Sequence, residues 1–376
     1  MCVEGTTVTR VRRGKLACAL ATMVLVLAGC GSDDNTAQTG IDIPDVDCSG
    51  APTINASGST AQSNAMIRFI NIYDSACSGY TVNYNSSGSG AGVNEFIGGL
   101  TDFAGSDVPL QEEFDEVSDA KQRCGGHEAW HLPLVFGPIA VTYNLEGFDG
   151  IALDGPVLAK IFNGTITEWN DPRIAELNDG VDLPDKEITV IFRSDESGTT
   201  QNFQNYLRTA SEDAWGQGTG KMFLGGVGEG ARGNENTSSA VDRTPGSITY
   251  NEWSFAEQRG LQIARIINSG GGEPVELDSE STGKAIDAAT VAGEGHDLVI
   301  ELDSIYGTEE NGAYPLMLVS YEIVCSTYPD PDVSEAIQTF LRVAATDGQQ
   351  GLTDAGFTPL PDVFQKRLLD SIEALS

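Results

Sequence analysis

Histidine and basic side chains are what this sequence most lacks. Three histidines in 376 residues leave little for a zinc centre or for chemistry that moves protons through several imidazoles. Lysine and arginine number 21 against 55 acidic residues, a net charge of −34. That deficit argues against a nucleic-acid binder, whose groove must be basic, and against a protein held on anionic lipid by charge. The apolar run Leu16–Leu27 has 12 residues, short of the roughly 20 that cross a bilayer. What is abundant is glycine, 44 residues, which points to function carried by backbone amides in tight turns. With 40% hydrophobic residues the chain can build real cores, and its length suggests two or three domains.

The chain begins with an address. Arg10, Arg12, Arg13 and Lys15 precede the apolar run, which ends in Leu27-Ala28-Gly29-Cys30. A charged start, a short apolar centre and small residues after it read as a secretory signal over residues 1–29. Cys30 is then either incidental or the lipid-bearing first residue of the mature chain. Leu-Ala-Gly-Cys resembles the bacterial lipobox, which implies lipidation at Cys30. Loss of residues 1–29 leaves 17 basic against 54 acidic side chains, a net −37. Two or more fatty chains anchor a protein without help from charge. Residues 30–48, rich in Gly, Ser, Asp and Thr, read as a flexible tether.

Four cysteines remain beyond the signal and Cys30: Cys48, Cys77, Cys124 and Cys325. An even number outside the cytoplasm favours disulfides, and three pairings are possible. Cys48 precedes the first candidate strand and Cys77 follows the first candidate helix, which makes 48–77 a local clip and leaves 124–325. The alternative is four buried thiols. None of them forms a C-x-x-C unit, so no metal site is expected.

Strands and helices alternate along the rest. Strands are expected at Pro52–Ala56, Tyr80–Tyr84, Asp102–Asp107, Leu132–Tyr143, Glu187–Phe192, Ser247–Tyr250 and Leu316–Val324. Helices are expected at Ala61–Ala76, on the spacing of Ala65, Met66, Phe69, Ile70 and Tyr73, and at Val93–Gly98, Val157–Phe162, Gly198–Thr209, Trp253–Gln258, Asp332–Ala345 and Leu360–Ala374. Such alternation implies an α/β fold with parallel sheets.

Four strand-to-helix turns carry the chemistry: Gly58-Ser59-Thr60, Gly88-Ser89-Gly90, Ser106-Asp107, and Arg193-Ser-Asp-Glu-Ser197-Gly198-Thr199-Thr200. A helix start has unpartnered N–H groups and the positive end of the dipole. With hydroxyls and a glycine there, an oxyanion collects several hydrogen bonds at once, and Arg193 adds a planar fork. Each turn alone has a plainer reading, since Ser and Thr are common N-caps and Arg193 could pair with Asp195 or Glu196. Their coincidence at carboxyl ends of strands, where open α/β sheets bind ligands, raises the anion site to an even alternative.

The order and wording of these stretches resemble one family. Ala56–Gln62, Gly88–Val93, Asp102–Leu110, Leu153–Pro156 with Lys160–Gly164, Trp169–Pro172, Phe192–Thr200, Gly246–Ala256 and Tyr321–Ser326 are similar to the phosphate-binding lipoproteins of Pst-type ABC importers, with mycobacterial and related actinobacterial members the nearest. The likeness spans most of residues 51–376. It implies a type II periplasmic-binding fold of two α/β lobes joined by two hinge crossings, with ligand in the cleft. Lobe one would be residues 49–133 with 318–376, and lobe two residues 134–317.

Carried over by position, the resemblance implies phosphate contacts from Ser59, Thr60 and the Ala61 amide, from Ser89, from Asp107, and from Arg193, Ser197, Gly198 and Thr199. Asp195 would steady the arginine. Ala61 stands where an aromatic is usual, and Ala91 where many relatives have glycine; neither change touches a needed group. The partners implied are inorganic phosphate and the permease and ATPase of an importer, with the chain a lipid-anchored monomer on the extracytoplasmic face that uses no cofactor and catalyses nothing.

Asp107 then explains selectivity. A carboxylate aimed at an anion repels it unless a proton lies between them; hydrogen phosphate carries one at neutral pH and sulfate does not. An unpaired buried acceptor facing sulfate costs roughly 2–5 kcal/mol. Two rival readings remain. A phosphatase needs a nucleophile with a base, or paired metals; His127, His131 and His296 lack such placement, and the first two read as loop residues. A receptor for another oxyanion would share the same turns.

Overall fold

A computed structural model of the chain describes residues 46–376 apart from 212 and 288. The expected signal peptide, Cys30 and the tether as far as residue 45 lie outside the described residues. Short apolar or alternating runs become strands, and Gly-, Ser- and Thr-rich turns return the chain into helices.

The main sheet has nine strands: β1 (Thr53–Gly58), β2 (Thr81–Ser86), β3 (Phe103–Ser106), β4 (Ala129–Tyr143), β5 (Thr189–Arg193), β6 (Glu229–Ala231), β7 (Ser247–Glu252), β8 (Gln262–Ile263) and β9 (Met317–Cys325). Their order is β2-β1-β3-β9-β4-β7-β5-β6, with β8 beside β4. Helices used below are α1 (Ser63–Ala76), α2 (Ser89–Ile97), α3 (Glu116–Arg123), α4 (Gly155–Phe162), α5 (Gly198–Ala210), α6 (Gly233–Arg243), α7 (Trp253–Arg259), α8 (Ser279–Ile286), α9 (Pro331–Ala345) and α10 (Asp362–Glu373).

The sheet is mixed, which corrects the expectation of parallel sheets. β1 runs parallel to β2 and β3, and β5 parallel to β6 and β7. Between these groups β9 is antiparallel to β3 and to β4, and β4 is antiparallel to β7. Two long central strands thus join two parallel groups into one sheet. All nine residues of β9 are buried, Ser320 and Glu322 among them, as in a strand covered on both faces.

Proline shapes this centre. The β9–β4 register slips between Ser320 and Tyr321, opposite Val135 and Pro133. Pro133 has no N–H to give to a ladder, and bulges are where strands tolerate that loss. The carbonyl of Leu134, inside the bulge, accepts from Gln349 Nε2 at 3.1 Å. Ser320 is thereby placed at an irregular point of an otherwise regular strand.

Most elements fall where expected within a few residues, and the differences are physical. α1 buries Ile72 rather than Ile70, with Ala65, Met66, Phe69 and Tyr73. α2 starts at Ser89, not Val93, because Gly88 at φ 105° turns the chain in one residue. α3, α6 and α8 have no counterpart in the sequence reading. α6 shows why: its buried residues are Gly233, Asn234, Thr237, Ser238 and Val241, a polar inner face that leaves no apolar period to detect. Gly58 is required at the end of β1, since a Cβ there would stand 1.9 Å from the Gly105 carbonyl oxygen of β3.

Both disulfides pair as the sequence suggested: Cys48 with Cys77, and Cys124 with Cys325. The second ties the end of α3 to the end of β9, beside Arg123, whose guanidinium lies over the Phe96 and Tyr328 rings at 4.8 and 5.6 Å. The loops closed span 29 and 201 residues. On loop-closure entropy the longer one restricts the unfolded chain more, by roughly 1.5–2 kcal/mol. Paired Cys→Ser replacement at 124 and 325 should therefore lower the denaturation midpoint more than replacement at 48 and 77; the reverse order would refute this.

Candidate anion site

The site forms where carboxyl ends of both parallel groups face each other. β1, β2 and β3 release Ser59–Ala61, Gly88–Ser89 and Asp107; β5 releases Arg193 and the turn that opens α5; β6 releases Asn234 at the start of α6. All of these side chains are buried, with Thr60 the most exposed at 8% and Asp107 at 2%.

Asp107 is the centre. Its Oδ1 accepts from the Ser59 hydroxyl and from Ser320 Oγ at 2.8 Å. Its Oδ2 accepts from Thr199 Oγ1 at 3.2 Å and from Ser89 Oγ at 3.4 Å. Ser89 Oγ in turn accepts from the Asp107 and Gly198 amides, each at 3.2 Å. Four hydroxyls, from the turn after β1, the start of α2, β9 and the start of α5, therefore converge on one carboxylate. Burial raises its pKa above the usual carboxylate range, while hydrogen bonds from Ser59 and Ser320, the Arg193 charge and Thr199 oppose that rise. Gly198 has to be glycine for this approach: a Cβ there would stand 2.6 Å from Asp107 Cβ and 2.7 Å from Ser89 Oγ.

Arg193 supplies the cation. Its Nε and Nη2 fork onto Asp195 at 2.8 and 2.6 Å, leaving Nη1 toward Thr199 Oγ1 at 3.5 Å. Burial alone would raise the Asp195 pKa, but the Arg193 hydrogen bonds and charge, with the Gly233 amide, hold it below the usual range. Asp195 also binds that amide at 3.0 Å, so one carboxylate fixes both the arginine and the start of α6.

Ser59, Thr60, Ala61, Ser89, Asp107, Arg193, Gly198 and Thr199 thus lie together, with Asp195 behind Arg193. The Ala61 amide donates to Ser59 Oγ at 3.0 Å. Ser197 is next to them, but its hydroxyl caps α5 by accepting from the Thr200 amide at 3.1 Å. Three participants were not read from the sequence. Asn234 holds Thr60 Oγ1 through Nδ2 at 2.8 Å and faces Thr199 Oγ1 at 3.4 Å. Asn202 Nδ2 holds the Asp107 carbonyl at 2.8 Å, and its Oδ1 accepts from Tyr306 at 2.5 Å. Ser320 is the third. Arg232-Gly233-Asn234, a glycine turn after a strand, was the one signal available; Ser320 and Asn202 had none.

His131 is no loop residue. It lies on β4, accepts the Leu110 amide at its Nε2 at 2.9 Å, and its Nδ1 meets Asp297 at 2.8 Å. Among the described residues no group of three or more His, Cys, Asp or Glu is arranged to hold a metal.

Two further carboxyls are buried nearby. Glu252 accepts from the Ser254 amide at 3.0 Å and from its hydroxyl, and burial lifts its pKa well above the usual value. Glu322 on β9, in register with Gly105 of β3, has no hydrogen-bond partner on either oxygen, and neither has Gln62 Oε1. Burial pushes Glu322 up to about 8; Gln62, close but outside hydrogen-bonding geometry, opposes this, and the Asp107 charge adds to it.

Residues 36–347 match the PBP superfamily domain, the class of two-lobed binding proteins. The chain is 54% identical over 369 residues to the phosphate-binding protein PstS 3 of Mycobacterium tuberculosis, covering 97% of this chain and 99% of that one. To PstS 2 of the same organism it is 50% identical over 367 residues, again 97% and 99%. Among solved structures, a high-affinity periplasmic phosphate-binding protein (PfluDING) bound with phosphate has a TM-score of 0.69 at 20% identity, over 84% of this chain and 92% of that one. The chain belongs to the PstS family of phosphate-binding proteins within the PBP superfamily.

Glu322 generates a prediction whose sign follows from linkage. Its folded pKa, about 8, lies above the ordinary 4.5. Its contribution to stability is therefore complete below about pH 4.5 and is lost as pH rises to about 8, at most roughly 1.4 kcal/mol per pH unit. Glu322→Gln should flatten this fall, so that its melting temperature declines less than that of the unmodified chain between about pH 5 and pH 8. Parallel declines would show that Glu322 is ionised in the fold.

Proposed function

We propose that this chain is an extracytoplasmic receptor that binds inorganic phosphate at the Asp107 cluster and delivers it to the permease of an ABC importer. The observation that carries the reading is the convergence of four hydroxyls, two of them at helix starts, on the buried Asp107 carboxylate, beside an arginine forked onto Asp195. The hydroxyls of Ser59, Ser89 and Thr199 that donate to Asp107 are of the right kind to donate to phosphate oxygens, and Arg193 Nη1 is free of Asp195. Charge-assisted bonds contribute about 1.5–3 kcal/mol each, enough together for a micromolar constant near −8 kcal/mol after the costs of binding. Asp107 then accepts a hydrogen bond from the protonated oxygen of hydrogen phosphate.

Lobe one is residues 49–133 with 318–376, and lobe two is 134–317, so that β4 and β9 serve as the two crossings. Ligand bridging the lobes favours the closed arrangement by contacting both. The receptor acts as a monomer and has no catalytic step; the Ser197 hydroxyl serves as the cap of α5. Cys30 bears the lipid that holds the mature chain on the membrane; among the described residues no helix is long and apolar enough to cross one.

Calorimetric titration with phosphate, arsenate and sulfate tests the ligand. Phosphate and arsenate, both protonated tetrahedra, should bind, and sulfate should bind far more weakly. Asp107→Asn should narrow the phosphate-over-sulfate ratio by at least about tenfold, roughly 1.4 kcal/mol; an unchanged ratio would remove Asp107 from selectivity. For the anchor, Cys30→Ala should abolish incorporation of labelled palmitate and release the protein from membranes, and a labelled variant would exclude Cys30.

A further inference from the structure

In a chain of net charge −34 the direction of approach is a problem for any anion. Several of the basic side chains among the described residues are engaged by carboxylates: Lys121, Arg173, Arg193, Arg208, Lys221, Lys284 and Lys366 each form an ion pair. Arg232 and Arg259 do not. Arg232 is exposed at the N-cap of α6, and among the described residues its guanidinium makes a single long hydrogen bond of 3.5 Å, from Nη2 to the Ser87 carbonyl. Arg259, exposed at the end of α7, donates from Nε to Ser238 Oγ at 3.0 Å. The remaining guanidinium N–H groups of both have no protein acceptor among the described residues.

These two arginines line the same cleft, of about 640 Å³. Its other walls include Ser63 and Asn64 of α1, and Glu235 is its only acidic side chain. Thr60 and Gly233 also line it. Thr60 is the most exposed of the clustered hydroxyls, and Gly233 stands on Asp195, so this cleft is the one that borders the anion site. Two unneutralised guanidinium groups at its wall set a local positive field, felt within the screening distance of about 8 Å whatever the distant carboxylates do.

We propose that this cleft is a reception site for a tetrahedral oxyanion, where Arg232 and Arg259 collect the anion from solution before it passes Thr60 to the Asp107 cluster. The proposal rests on the phosphate reading above. It assigns the arginines to the encounter and not to the final complex, because planar forks free of carboxylates bind oxyanions well, while neither arginine touches the buried cluster. Charged walls around a cleft raise association rates and leave a signature in their salt dependence.

Stopped-flow association of phosphate with the full mature chain tests it. Arg232→Gln with Arg259→Gln should lower the association rate constant roughly threefold to tenfold at low salt and leave the dissociation rate constant unchanged, and the deficit should shrink as salt is raised. Arg232→Lys with Arg259→Lys should restore the rate, and Glu235→Gln, which removes the opposing charge, should increase it. An unaffected association rate, or a change confined to dissociation, overturns the reception site and leaves phosphate binding intact. Failure of the unmodified chain to bind phosphate overturns both.

Discussion

A carboxylate withdrawn from water has to be met by donors or by a proton, and Asp107 is met by hydroxyls that no single segment could supply. Ser59 comes from the turn after β1, Ser89 from the start of α2, Ser320 from β9 and Thr199 from the start of α5. Leaving such a group unpaired costs several kcal/mol, so the two parallel strand groups are bound to each other by the need to satisfy it. The glycines around it follow. At Gly198 any side chain would enter the space that Asp107 and Ser89 occupy. The amides of Asp107 and Gly198 meet at the Ser89 oxygen for the same reason.

The same constraint orders the charges. Arg193 is buried, and an isolated buried guanidinium would be untenable; Asp195 neutralises it bidentately and takes the Gly233 amide as well. The pair leaves one guanidinium nitrogen for other work. Glu252 and Glu322 lie within electrostatic reach of Asp107 and feel its charge. Each is easier to bury with its proton on, and each keeps the surroundings of Asp107 from becoming more negative.

How much of this was legible in the sequence depended on whether a residue acts through a local pattern or through distance. The turns at Gly58–Thr60, Gly88–Gly90 and Arg193–Thr200 could be read because a glycine and hydroxyls between a strand and a helix have a local physical meaning. Asp107 was legible as the residue after a short strand. The pairing of Cys124 with Cys325 followed once Cys48 and Cys77 were judged neighbours. Ser320 was not legible: it sits inside a mostly apolar strand and meets Asp107 only through the antiparallel register of β9 with β3, in which Tyr321 faces Ser106. Asn234 was hidden because α6 turns a polar face inward. The parallel character assigned to the sheet failed for a related reason, since strand direction is decided by where long strands return, which no window of ten residues records.

That failure bears on how the molecule is built to move. A wholly parallel sheet joins its strands only through helices on its faces, whereas β4 runs 15 residues without interruption from the β3 side of the sheet to the β7 side. Its first part pairs with β9 and its last part with β7. The bulge, at Pro133–Val135 within the part paired with β9, is a place where the ladder already tolerates a register change. Ser320 stands at that point with its hydroxyl on Asp107. Ser320 therefore belongs at once to the irregular point of the β9–β4 ladder and to the donors around Asp107.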